Sequence, residues 1–376
     1  MVVWEKKESS PVTHVAIAGD FLPASGLQLP PRRSWRDIAA GLTRPFSKAD
    51  VAILNLECCI DVGDSKPRTK FGLGDSFAAE PDVLDFPVSL GANLIGMANN
   101  HIYDYGEEGL ARTRQAVQKR ALVPVGIGKT LSEPPDATVA QTGAGPRIGV
   151  WAAARHLPEL ATRKKPGIEP ATRKRGEEAL RELKAKDASL TIAYLHAGLE
   201  HTNRPDPDDV ALLRELAKIG FDIVTACHSH RIAGYERVRR ADGTSAFCFY
   251  GLGSISSGVL YSELEREGLV VVAGLDASGE IVRLTVHPVH LEATGWGRTP
   301  RFADAYNILN RFELLSEELT RGTYKERFYN DTKIRMLHRQ LRDLQAAVQN
   351  GGVRGLASKL RRVRMRHLNR ALHGMG

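Results

Sequence analysis

No apolar stretch in the chain approaches the ~20 residues that a membrane-spanning helix requires. The opening residues, Met-Val-Val-Trp-Glu-Lys-Lys-Glu, lack the apolar core of a signal peptide. These absences predict no stable membrane insertion and a cytoplasmic location. Cysteine is scarce. The four present, Cys58, Cys59, Cys227 and Cys248, show neither disulfide nor metal-binding spacing. Buried free thiols in a reducing compartment are the expectation, with a minor site role left open for Cys227. A broad excess of positive charge is also missing. The formal net charge is +8, but residues 351–376 hold seven Lys or Arg and no acid, leaving 45 basic against 44 acidic residues elsewhere. A nucleic-acid-binding surface spread over the fold is therefore not expected.

What remains is an ordinary soluble composition, 376 residues with 42% hydrophobic and 26% charged, enough for one large domain or two. Apolar strands alternate with amphipathic segments through most of the first 275 residues. The patterns predict strands over 14–18, 51–54, 93–97, 147–153, 190–194 and 222–226. They predict helices over 81–90, 106–120, 176–187 and 207–219, with Asp208 and Asp209 suited to a helix N-terminus. Runs over 245–250, 268–273 and 281–289 follow, and Asp276-Ala277-Ser278-Gly279 reads as a hairpin turn. Alternation followed by hairpins implies a mixed sheet, or two packed sheets, flanked by helices.

Residues 20–36 are too broken by proline and glycine for regular structure. Residues 161–175 repeat Ala-Thr-Arg-Lys around Pro166 and Pro170. This reads as a basic, flexible stretch, either a solvated loop or a substrate-gripping one. From about 301 the pattern turns helical and strongly charged. Leu356, Leu360, Val363, Leu368, Ala371 and Leu372 then recur near helical spacing among arginines. Such a basic amphipathic helix either packs on its own domain or docks on an acidic peptide or a membrane surface. The expected division is a catalytic domain over 1–295 and a helical, basic extension over 296–376.

Five motifs close five of the strand-like runs: Ala18-Gly19-Asp20, Asn55-Leu56-Glu57, Ala98-Asn99-Asn100-His101, Leu195-His196 and His228-Ser229-His230. Side chains at the carboxyl ends of strands in an open sheet share one crevice. Their oxygen and nitrogen donors suit a divalent metal, and Asp20, Glu57, Asn100, His196, His228 and His230 are the candidate ligands. His228 and His230, spaced i, i+2, fall on one side of an extended segment. Gly19 is expected to form a tight turn that exposes Asp20. His101 and Asp104 are close enough in sequence for an acid–base dyad, and His230 or His228 with Asp20 for a second. His101, Asp104, His230 and Asp20 are thus the candidate catalytic groups.

In this order the motifs resemble the CapA family, named for poly-gamma-glutamate capsule synthesis and related to calcineurin-like metallophosphatases. The resemblance runs over residues 12–290. It rests on Ile17 to Asp20, Asp50 to Glu57 and, most specifically, Ala98-Asn99-Asn100-His101-Ile102-Tyr103-Asp104-Tyr105-Gly106. His-Ala-Gly-Leu-Glu at 196–200, His228-Ser229-His230 with Glu236, and Tyr250-Gly251-Leu252-Gly253-Ser254 complete it. It implies an α/β fold, a four-layer αββα sandwich of the calcineurin-like metallophosphatase type, with a helical C-terminal extension.

This chain departs from the pattern at several places. Leu22 stands where the better-known metallophosphatases have a His, Asn55-Leu56-Glu57 replaces their second Gly-Asp, and Ala197 and Ser254 replace a usual Trp and Asn. These losses favour one six-coordinate ion (calcium, manganese or zinc) over two tightly bridged ones. They also weaken the case for phosphoester hydrolysis, which usually needs a two-metal clamp. Relatives of this kind epimerise the C-terminal residue of a ribosomal lasso-type peptide. The expectation is therefore metal-assisted Cα epimerisation of a peptide by His/Asp chemistry. The alternatives are a poly-gamma-glutamate synthesis factor or amide-bond enzyme, a metallophosphoesterase, and a peptide-binding module with a dead site. The expected partner is a peptide or polyglutamate substrate.

Overall fold

The computed structural model describes residues 1–6, 10–24, 27, 29–67, 76–143 and 145–333. The tail pattern from Leu356 to Leu372 lies outside them. Along the chain, Val2–Glu5 (β1), Thr13–Leu22 (β2), Val51–Leu56 (β3), Leu94–Gly96 (β4) and Val123–Val125 (β5) come first. Next are Ala137–Ala140 (β6), Ile148–Ala154 (β7), Leu190–His196 (β8), Ile223–Cys227 (β9), Tyr235–Arg239 (β10) and Ser245–Phe249 (β11). Ser254–Ser257 (β12), Glu267–Leu275 (β13) and Ile281–Leu291 (β14) return to the first group. The helices that matter here are Trp35–Ala39 (α1), Asp85–Leu90 (α2), Gly106–Lys119 (α3), Arg173–Ala185 (α4), Pro207–Ile219 (α5) and Phe302–Arg321 (α6).

Two sheets result. The first runs β1-β14-β13-β2-β3-β4-β5, with β12 beside the end of β2. The second runs β10-β11-β9-β8-β7-β6. β2 to β5 are mutually parallel, as are β7, β8, β9 and β11. β13 and β14 form the antiparallel hairpin expected around Asp276, whose carboxylate accepts from the Ser278 and Glu280 N–H groups.

The second sheet shows why there are four layers. Ile148, Val150, Ile192, Tyr194, Ile223 and Cys227 point into one core, shared with Ile17, Ile53 and Leu94 of the first sheet. The alternate residues Trp151, Ala153, Ala193, Leu195, Val224 and Ala226 point into another, with Leu180 and Leu183 of α4 and Leu213 and Leu216 of α5. That period of two is the signature of strands buried on both faces. On the first sheet, α1, α2 and α3 contribute Trp35, Ile38, Phe86, Leu90, Leu110 and Val117. The α/β, helix–sheet–sheet–helix arrangement is as expected from the sequence.

Local signals place the helices. Asp206 caps α5 by accepting from the Asp208 N–H, and Pro207 occupies the first turn. Thr172 caps α4, which starts at Arg173, earlier than the predicted 176. The basic stretch before it is accordingly not a free loop. Gly167–Ile168 pairs with Ile127–Lys129, and Arg175, 6% exposed, makes a two-pronged ion pair with the buried Glu169. A buried carboxylate needs such a partner, so Arg175 is committed to structure, while Arg163, Lys164, Lys165, Arg173 and Lys174 stay exposed.

The chain divides into two compact units, Met1–Tyr324 and Lys325–Gly376. The first takes in α6, which the sequence reading placed beyond residue 295. Of the second, only residues 325–333 are described, and these are helical. Among the described residues no helix is long and apolar enough to cross a membrane.

Candidate metal centre

The five motifs meet at the carboxyl edge of the two sheets. Asp20 lies within β2, Glu57 one residue past β3, and Asn99, Asn100 and His101 follow β4. His196 ends β8, and His228 to His230 follow β9. Carboxylates come from the first sheet and imidazoles of His196, His228 and His230 from the second.

Gly19 is not the turn expected. β2 runs straight on to Leu22 because β12 pairs with it, Ser254 opposite Asp20. A Cβ at Gly19 would lie 1.9 Å from the Gly253 oxygen, so glycine is required by close backbone approach. What aims Asp20 is a break in register with β3, which passes from Ile17↔Ile53 to Asp20↔Asn55. An extra residue on one strand re-aims the side chains beyond it.

Two groups of three donors result, each with ligand atoms within 4.8 Å of one another: Glu57, His196 and His228, and Asp20, Glu57 and His230. Glu57 belongs to both. The two groups overlap at the Glu57 carboxylate, where the sequence leads to one six-coordinate ion. Fit to a divalent metal can be judged from Glu57 itself. It is fully buried, and among the described residues neither carboxylate oxygen has a hydrogen-bond donor. A buried carboxylate without donors is costly unless a cation completes it. The Nδ1 atoms of His228 and His230 are likewise buried without hydrogen-bond partners. The oxygen-rich and imidazole donors suit calcium, manganese or zinc alike.

Around this pair the polar groups are tightly placed. Asn55 donates to Asp20 Oδ1 at 2.8 Å, and Asn99 donates to Asn55 Oδ1 at 3.0 Å and to the Leu56 carbonyl at 2.7 Å. The His228 N–H reaches Asp20 Oδ2 at 3.1 Å. Asn100 Oδ1 sits 2.8 Å from His196 Nε2, which is 3.4 Å from Glu57 Oε1. Burial alone would raise the Asp20 carboxyl, but contact with His230 and the charge of His196 hold it below the ordinary range. Burial works against a charge on His230, yet Glu57 and Asp20 push it up to about 10. His228 goes the other way, well below its ordinary value, through burial and the surrounding histidines. A cradle that keeps one imidazole neutral and draws a proton to another is short of cations.

His101 and Asp104 form the expected pair, Nδ1 to Oδ2 at 2.7 Å, both buried. Neither belongs to the two triads. Asp20 and His230, given both catalytic and ligand roles from sequence, sit together in one of them, Nδ1 to Oδ2 at 3.4 Å.

Sequence reasoning missed His201. Its Nδ1 lies 3.0 Å from Oε1 of the buried Glu265, and its ring is 6.2 Å from that of His230. Glu265 also accepts from the Tyr261 N–H and the Ser262 hydroxyl. The usable signal was a second histidine five residues beyond His196. His201, His228 and His230 all hold positive φ, 62°, 101° and 53°, a strained backbone that clusters at functional sites. The departures also have places. Leu22 is buried in the shared core, and the Ser254 hydroxyl is buried without a hydrogen-bond partner beside Asp20. All four cysteines are buried free thiols, and Cys227 Sγ lies 3.4 Å from the Tyr194 hydroxyl. Burial raises that hydroxyl well above its ordinary range, which keeps it a donor.

Two sheets back to back, with carboxylates and imidazoles able to hold a metal gathered at one edge, define an α/β sandwich with a candidate metal centre. A family profile described as "Bacterial capsule synthesis protein PGA_cap" matches residues 14–258, and the chain belongs to that family. It is 24% identical over 246 residues to the capsule biosynthesis protein CapA of Bacillus anthracis, covering 64% of this chain and 58% of that one. It is 26% identical over 280 residues to a probable polyglutamine synthesis accessory protein of Mycobacterium tuberculosis, covering 69% and 70%. Among solved structures, the calcineurin-like phosphoesterase YfkN of Bacillus subtilis aligns with a TM-score of 0.45 at 14% identity, over 82% of this chain and 99% of that one. The NAD nucleotidase of Haemophilus influenzae aligns with a TM-score of 0.46 at 12% identity, over 80% and 62%.

Proposed function

We propose that this chain is a metal-dependent hydrolase-type enzyme acting on an amide bond of a peptide or polyglutamate chain. The observation that carries the reading is Glu57, a buried carboxylate without hydrogen-bond donors that belongs to two ligand triads. From sequence the site looked thinned to a single ion, which disfavours hydrolysis; two donor groups that share Glu57 support a second ion beside it. A divalent ion held there supplies Lewis-acid polarisation of a carbonyl and a water acidic enough to attack at neutral pH.

The rest of the work falls to this chain's own groups. His101 stands outside the triads, and its Nδ1 pairs with Asp104 at 2.7 Å, an acid that orients the ring and stabilises its protonated form. That arrangement suits delivery of a proton to a leaving amine. The Asn99–Asn55–Asp20 chain of hydrogen bonds fixes one carboxylate ligand, as outer partners of metal sites do. The named relatives, a capsule biosynthesis protein and a polyglutamine synthesis accessory protein, support a glutamate-derived polymer or peptide as the substrate.

The test is incubation of the manganese-loaded protein with poly-gamma-glutamate and short peptides in H2¹⁸O. Metal-dependent appearance of ¹⁸O in new carboxyl groups is expected. Unlabelled, intact substrates alongside rapid p-nitrophenolate release from bis-(p-nitrophenyl) phosphate would overturn the reading in favour of a phosphoesterase.

A second reading, Cα epimerisation of a peptide's C-terminal residue, draws support from a different observation. Two His–carboxylate pairs, His101–Asp104 and His201–Glu265, lie beside the triads without belonging to them. The His201 ring lies 6.2 Å from that of His230, which belongs to one triad. Deuterium entering Cα in D2O without cleavage of the chain selects this reading.

A further inference from the structure

Tyr194 lies two residues before His196 in β8, facing the core between the sheets. Its hydroxyl donates to the Ala18 carbonyl at 2.6 Å, in the register break of β2 two residues before Asp20. The same oxygen accepts from Cys227 Sγ at 3.4 Å, one residue before His228. One buried oxygen thus joins three strands, and each strand delivers a ligand within two residues of the junction. The ring reaches this place because residue 96 is glycine. A Cβ there would lie 2.8 Å from the ring of Tyr194.

We propose that Tyr194 is a positioning residue for the metal centre: its hydroxyl locks the two sheets at the spacing that brings Asp20 opposite His196 and His228. This rests on the metal reading above. The lock works because the triads take their oxygen donors from one sheet and their nitrogen donors from the other. A small slide between sheets changes every carboxylate-to-imidazole distance at once. Neither Tyr194 nor Ala18 is a ligand, so the effect is on geometry alone, in the way that outer-shell partners set the affinity of an inner shell.

The experiment is titration of the full-length, metal-stripped protein with Mn2+ by calorimetry, and with Co2+ followed by its visible absorption. Wild type, Tyr194→Phe, Gly96→Ala and Val150→Ala are compared, together with their metal-free melting temperatures. Tyr194→Phe deletes one oxygen, whereas Gly96→Ala keeps the hydroxyl and pushes on the ring. Val150→Ala, in the same core, controls for a general loss of stability. Tyr194→Phe and Gly96→Ala are expected to weaken Mn2+ binding by about 10- to 100-fold and to alter the Co2+ spectrum. Val150→Ala, although less stable, is expected to bind as wild type does. Unchanged affinity and spectrum in Tyr194→Phe would overturn the inference while leaving the metal centre standing. Failure of wild type to bind either ion would overturn both.

Discussion

The ring of Phe77 packs 4.4 Å from the imidazole of His101, and the N–H of the same residue donates to Asp104 Oδ2 at 2.8 Å. One residue thus touches both members of the dyad, its ring tilted against the imidazole and its N–H bonded to the acid. Phe77→Ala keeps the backbone donor and frees the imidazole. Turnover in the ¹⁸O assay is expected to fall by about 10- to 100-fold, the scale of a small misplacement. Bound metal, measured by mass spectrometry, should stay at the wild-type level. A parallel loss of metal would show that the ring supports the cradle instead.

Because Glu57 serves both triads, its loss is not equivalent to loss of Asp20. Glu57→Gln is expected to abolish binding at both sites, whereas Asp20→Asn should leave the Glu57–His196–His228 group able to hold an ion. Equilibrium dialysis against Mn2+ distinguishes a stoichiometry near zero from one that is reduced. Equal occupancy in the two variants would refute the sharing.

Gly19→Ala places a methyl group 1.9 Å from the Gly253 carbonyl oxygen. Both partners are backbone, so neither can swing aside. A destabilisation of more than about 3 kcal/mol is expected, at the severe end for single substitutions. Urea unfolding of the metal-free protein measures it. A cost below about 1 kcal/mol would mean that β2 and β12 can separate freely.

Burial lowers the His287 imidazole to about 4, with the Met1 ammonium and Arg44 adding to the effect. Its folded value lies below the unfolded ~6.5, so the unfolded chain binds the extra proton in between. The contribution to stability is complete above about pH 6.5 and is lost as the pH falls toward 4. Melting temperatures of the metal-free protein should drop over that window, and less steeply in His287→Gln. Identical slopes would remove His287 as a cause.

The residues that meet at the sheet edge were legible from the sequence because each closes an apolar run, and parallel strands end at one edge. Asp20, Glu57, His196, His228 and His230 needed no more than that. That the donors fall into two groups was not legible, since it depends on Glu57 standing between imidazoles delivered by another sheet. Gly19 was misread for a related reason. Its partner is Gly253, more than two hundred residues away, and no local pattern records that approach. The stretch 161–175 looked loose because its composition is basic. Its order comes from Glu169, one acid whose burial is decided by tertiary packing. His201 escaped notice because the partner that fixes it, Glu265, lies 64 residues away.

The split of donors between sheets has a mechanical consequence. An ion held by both would act as a rivet through the sandwich, since pulling the sheets apart would break its coordination. Ligand that binds only the folded state adds about 4 kcal/mol at a thousandfold excess over its dissociation constant. Resistance to unfolding would then be set by the availability of the ion, so that chelation loosens the whole sandwich and not the crevice alone.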